Sequence, residues 1–115
     1  MMLVSNEEKT TADGRWRLLT RINVAGLGFD VSTVELTKPI VELEGYYRPR
    51  YETMIFGDGY SDLFCATYDT REEAQKGHSK ILEDIKDGKL VFESNVDEWN
   101  SHGYFVYAST DAEDS

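Results

Sequence analysis

The chain has 115 residues, 40% hydrophobic and 12% aromatic, enough to bury the core of one globular domain and too apolar for a disordered one. Its formal charge of −10 is unevenly placed: residues 1–50 hold seven acids and seven bases, whereas residues 51–115 hold fifteen acids and five bases. Such a field repels nucleic-acid phosphates and attracts basic surfaces, so direct nucleic-acid binding is not expected; a basic protein partner is allowed, and so is an acidic surface that only keeps a small protein in solution.

In chain order, residues 1–13 are small or polar and read as a flexible leader. The run MMLVSNEEK lacks a basic start and the roughly 7–15 apolar residues of a secretion signal. No segment approaches the roughly 20 apolar residues of a membrane span, and the single cysteine, Cys65, excludes an intramolecular disulfide. The expected setting is a reducing cytoplasm without membrane contact. From Arg15 the pattern alternates: Trp16, Leu18, Thr20, Ile22 and Val24 share one face, and Arg15, Arg17, Leu19, Arg21 and Asn23 the other, which predicts a half-buried strand with a basic outer side. AGLGF, residues 25–29, predicts a turn or bulge, and VSTVELT, residues 31–37, a β-branched second strand. Pro39 blocks its continuation. Ile40–Glu44 alternates again as a short strand, and GYYRPR (45–50) is a loop rich in tyrosine and arginine. Its Tyr46, Tyr47, Arg48 and Arg50 have the composition of a contact surface, or of a cleft for a small anionic ligand such as a nucleotide.

YETMIFG (51–57) carries apolar residues on both faces, as an internal strand does; GDGYSD supplies hairpin chemistry, and Leu63–Tyr68 returns. The helix is sharply punctuated. Thr70-Arg71-Glu72-Glu73 is a capping box; Ala74, His78, Ile81, Leu82 and Ile85 form one apolar stripe; and Gly88 supplies a left-handed stop. KLVFESN and GYFVYAS predict two more strands around the polar loop VDEWNSHG, and the acidic end DAEDS predicts a disordered tail over 110–115. The expected architecture is therefore a single α+β domain over residues 14–109. It is a mainly antiparallel sheet with one long helix, about 70–87, packed on one face.

Chemistry-bearing constellations are sparse. His78 and His102 stand 24 residues apart, outside metal-ligand spacing, and no P-loop, nucleophile elbow or dinucleotide fingerprint is present. No metal or cofactor is expected. Cys65 alternates with Leu63 and Thr67 and reads as a small core residue. One pairing stands out. His78, on the apolar helix stripe, and Glu52, on the internal strand, would each need a polar partner if buried, and each could serve the other. The pair would lock helix register or, in a catalytic reading, act as a general acid–base dyad. The structural role is preferred, because no nucleophile or oxyanion device accompanies it.

The segments VSTVEL (31–36), YETMIFG (51–57) and TREEAQKGH (70–78) resemble an ordered set of motifs in a group of short, uncharacterised bacteriophage and prophage proteins. That group shows a V-S-T-V-F-L strand, an F-E-T-M-V-F-G strand and a Tyr-x-T-x-x-E-A-x-x-G-H segment. Tyr68, Thr70, Glu73, Ala74, Gly77 and His78 match the last of these, and Glu35 departs from an apolar position. The resemblance spans roughly residues 31–83 and carries no chemistry. It implies a phage-type accessory protein in the bacterial cytoplasm, non-enzymatic, acting through its surface on a host or phage protein. A structural or self-assembling role, as monomer or homodimer, is the other expectation.

Overall fold

A computed structural model describes residues 1–36, 50–57, 60–96 and 101–108. Its strands are β1 (Met2–Thr10), β2 (Trp16–Val24), β3 (Leu27–Glu35), β4 (Tyr51–Gly57), β5 (Tyr60–Tyr68), β6 (Leu90–Val96) and β7 (Ser101–Tyr107), with helix α1 (Arg71–Lys86) between β5 and β6. Strands β1 to β5 form one antiparallel sheet in sequence order, and β6 and β7 form a separate hairpin. The α+β class, the antiparallel pairing and the single long helix on the sheet are as expected.

Strand alternation sets the two faces of the large sheet. Trp16, Thr20 and Ile22 of β2, Phe29, Val31 and Thr33 of β3, and Tyr51, Thr53 and Ile55 of β4 are all buried. Register stacks them across the sheet, with Thr20 opposite Val31 and Val31 opposite Ile55. Against this face α1 lays Ala74, His78, Ile81 and Ile85, and the hairpin adds Leu90 and Phe105. Phe29 meets both Phe92 and Phe105 at ring-centroid distances of 5.0 Å, so helix and hairpin share one face of the sheet. A second cluster gathers Trp16, Tyr51 and Ala74 at the N-terminal end of the helix. There the Trp16 indole N–H donates to Glu8 Oε1 at 2.6 Å and Arg71 lies over the ring.

The helix ends follow from local chemistry. Thr70, extended at φ −125°, accepts the Glu73 N–H at 3.1 Å, while Glu72 and Glu73 sit at the positive end of the helix dipole. At the far end Gly88 takes φ +75°, a conformation that a side chain disfavours.

Three expectations change. Residues 2–10 are no leader: Met2–Thr10 pairs with β2 throughout, with a bulge between Leu3 and Ser5. All nine of its residues are exposed, so burial imposes no alternation on the sequence. Next, β3 begins at Leu27, because Ala25 and Gly26, both at positive φ, make a two-residue turn that brings Val24 opposite Leu27. Finally, Cys65 is exposed, on the side of β5 away from the helix. The expected strand at 40–44, the loop at 45–49 and the tail at 110–115 lie outside the described residues.

Candidate functional site

His78 occupies the centre of the helix–sheet interface at 2% exposure. Helical spacing places it between Ala74 and Ile81 on the buried stripe, above three threonines contributed by three adjacent strands. Its Nε2 lies 2.7 Å from Thr20 Oγ1 and its Nδ1 lies 2.7 Å from Thr33 Oγ1. Thr33 Oγ1 in turn bonds Thr53 Oγ1, and the Thr20 hydroxyl donates to Asn6 Oδ1 at 2.6 Å.

These contacts fix a direction. With the Thr20 proton engaged by Asn6, Thr20 can only accept from the imidazole, so Nε2 carries the hydrogen. Nδ1 is then the acceptor, Thr33 donates to it, and Thr53 donates to Thr33. One neutral tautomer satisfies the whole chain Thr53–Thr33–His78–Thr20–Asn6, and no carboxylate faces the ring in that chain. Desolvation by burial accordingly pushes the His78 pKa down, from 6.5 to about 4. At neutral pH the ring is uncharged and its two nitrogens are both engaged. It serves as a polar rivet between helix and sheet.

The expected Glu52–His78 pair does not form. Glu52 neighbours Thr53 in β4, and Thr53 points to the helix, so alternation sends Glu52 to the opposite face. There the half-buried Glu52 accepts from the Cys65 thiol at 3.6 Å, across the register pair Met54 and Cys65. The sheet itself separates the two groups, which removes the acid–base dyad. Arg50 is exposed at the start of β4; its backbone N–H reaches Tyr68 O and its carbonyl accepts from Leu36 N–H. Tyr46, Tyr47 and Arg48 lie outside the described residues.

Sequence reasoning missed the threonines, although a signal was present. Thr20, Thr33 and Thr53 each occupy an apolar-parity position in a separate strand, and one histidine on the facing helix stripe engages Thr20 and Thr33 directly and Thr53 through Thr33. It also missed Asp84, grouped with the acidic surface but only 1% exposed. Asp84 Oδ1 accepts from Lys80 at 3.1 Å and Oδ2 accepts from the Tyr107 hydroxyl at 3.0 Å. Hydrogen bonding from Lys80 holds the Asp84 carboxyl below its ordinary range, against the opposing effect of desolvation. The same carboxylate raises the Lys80 pKa, while Tyr107 is raised chiefly by desolvation, with the Asp84 bond adding to it.

Among the described residues no group of three or more His, Cys, Asp or Glu side chains is placed to hold a metal ion, and no helix is long and apolar enough to cross a membrane. Comparison with protein-family models, curated proteins and solved structures returns no match.

Proposed function

We propose that this chain is a non-enzymatic accessory protein of phage type, working in the bacterial cytoplasm, that binds a basic host or phage protein through its acidic surface. The observation that carries this reading is the charge imbalance of the chain from residue 51 onward. The inner stripe of α1 is committed to the core, His78 included, and Glu72, Glu73, Glu83 and Asp87 face outward beside Arg71, Lys76, Lys80 and Lys86. Four bases share the helix, but the segment from residue 51 onward still holds fifteen acids against five bases. A basic surface approaching this half of the molecule gains from long-range attraction that salt screens over roughly 8–10 Å at physiological strength.

Capture from a bacterial lysate, with wild type and a Glu72→Lys/Glu73→Lys/Glu83→Lys variant as baits, tests this. Wild type should retain a discrete basic protein at low salt, retain progressively less of it as salt rises through and beyond the physiological range, and outperform the variant at equal thermal stability. Equal retention by both baits, or retention indifferent to salt, would overturn the acidic-surface reading.

A further inference from the structure

Between α1 and the helix-facing side of β5 runs a groove of about 260 Å³, bounded at one end by β7. Phe64, Ala66 and Tyr68 of β5 face Lys76, Gly77, Lys80 and Ile81 of α1, with Tyr107 as the end wall. Small residues create this space. Ala66 leaves a gap between two aromatic rings of its own strand, and Gly77 admits the Tyr68 ring so closely that a Cβ there would lie 2.2 Å from Tyr68 Cε1. The floor is apolar and the rim is not.

The rim holds two ammonium groups, one helical turn apart, in a protein that is otherwise strongly acidic. Lys80 is fixed in place: the buried Asp84 takes one of its N–H groups and also anchors the Tyr107 hydroxyl, so both carboxylate oxygens are already engaged. Among the described residues Asp84 is the acceptor bonded to Lys80, which leaves two of its N–H groups for a ligand. Lys76 pairs with Glu72 at 3.1 Å, but both side chains are more than 70% exposed, and such a pair yields readily to a better acceptor.

We propose that this groove binds a small amphipathic carboxylate, its apolar chain lying on Phe64, Ala66, Ile81 and Tyr107 and its carboxylate held by Lys76 and Lys80. The volume matches an apolar body of roughly eight or nine non-hydrogen atoms, taking about 30 Å³ for each. The groove meets the acidic surface only at the Lys76–Glu72 pair, and octanoate shifts at Ala66, Gly77 and Lys80 report on the groove alone, so either proposal can fail alone.

Octanoate is the probe, with 1-octanol and acetate as controls, followed through backbone amide NMR shifts of the full chain. Octanoate should give saturable one-to-one shifts centred on Ala66, Gly77 and Lys80, and acetate should give none. Ala66→Leu, which fills the groove, should abolish binding. The exposed pair Lys76→Gln/Lys80→Gln should weaken it roughly tenfold, the equivalent of one charge-assisted contact. Should Ala66→Leu unfold, the lysine variant and the octanol control still decide. Octanol binding as tightly as octanoate would overturn the carboxylate assignment. Absence of saturable shifts, or binding untouched by Ala66→Leu, would overturn the site.

Discussion

At the scale of single residues, His78 is the group whose chemistry departs furthest from its ordinary behaviour. A histidine with threonine hydroxyls on both nitrogens and no carboxylate in the chain is comfortable only when neutral. Folding therefore lowers its proton affinity, from a pKa of 6.5 to about 4. Between those values the unfolded chain binds the proton and the folded chain does not, so stability is intact above about pH 6.5 and declines as pH falls toward 4. A shift of this size corresponds to about 3 kcal/mol over the window. Denaturant titrations at pH 7 and pH 4 should show the wild type losing that amount more than a His78→Leu variant does. The variant will be the weaker protein at pH 7, because Thr20 and Thr33 lose a partner, and only the difference in pH slope bears on the argument. Equal slopes would mean that the ring takes up a proton in place, and the buried neutral tautomer would be wrong. The Glu52 pairing fails at this same scale for a reason already in the sequence: Glu52 and Thr53 cannot both face the helix, and Thr53 does.

Among the elements, α1 and its approach to β5 show how local chemistry and tertiary contact compete. Helix propensity alone favours alanine over glycine by about 1 kcal/mol at an interior position such as Gly77. The Tyr68 ring reverses that preference, since its Cε1 and hydroxyl occupy the volume a methyl group would enter. Gly77→Ala should therefore destabilise by about 1–3 kcal/mol, the usual range for overpacking. Placed in a Tyr68→Ala background the same change should become neutral or stabilising, and thermal melts of the four proteins in the cycle provide the readout. Additive effects would mean the ring turns aside freely and does not hold the helix at its distance. This element was legible in the sequence because each of its devices is local: the Thr70 cap, the stripe from Ala74 to Ile85 and Gly88 lie within one stretch. The strands were legible where one face is buried, as in β2 and β4. Legibility failed at β1, whose side chains are exposed on both faces, and at the start of β3, where Gly28 continues a strand that glycine ordinarily interrupts. Asp84 escaped notice because its burial depends on Tyr107, which lies 23 residues away in the chain and on another element.

Across the whole molecule, cohesion is graded from one side of the sheet to the other. The cluster of Ile22, Phe29, Val31, Ile55, Leu63, Ile81, Ile85, Leu90 and Phe105 ties β2, β3, β4 and β5 to the helix and the hairpin. β1 sits at the sheet edge, held by its ladder to β2 and by the side-chain bonds of Asn6 to Thr20 and Glu8 to Trp16. Its first half exposes Met2, Leu3 and Val4 at 57–66%, and the bulge between Leu3 and Ser5 breaks the regular edge that another strand would need. An element with no buried side chain contributes little to the global free energy and should open on its own. Native-state hydrogen exchange should accordingly show the amides of Ser5–Lys9 that bond to β2 exchanging by a local opening, well below the global free energy. The amides of Val31 and Thr33 should exchange only with complete unfolding. Raising the protein concentration distinguishes two origins of any unexpected slowness at β1. Protection that grows with concentration reports pairing of this edge with a second copy, and protection that does not change means β1 belongs to the same cooperative unit as the core. β1 amides as slow as those of β3 at every concentration would contradict the graded sheet, because β1 itself buries no side chain.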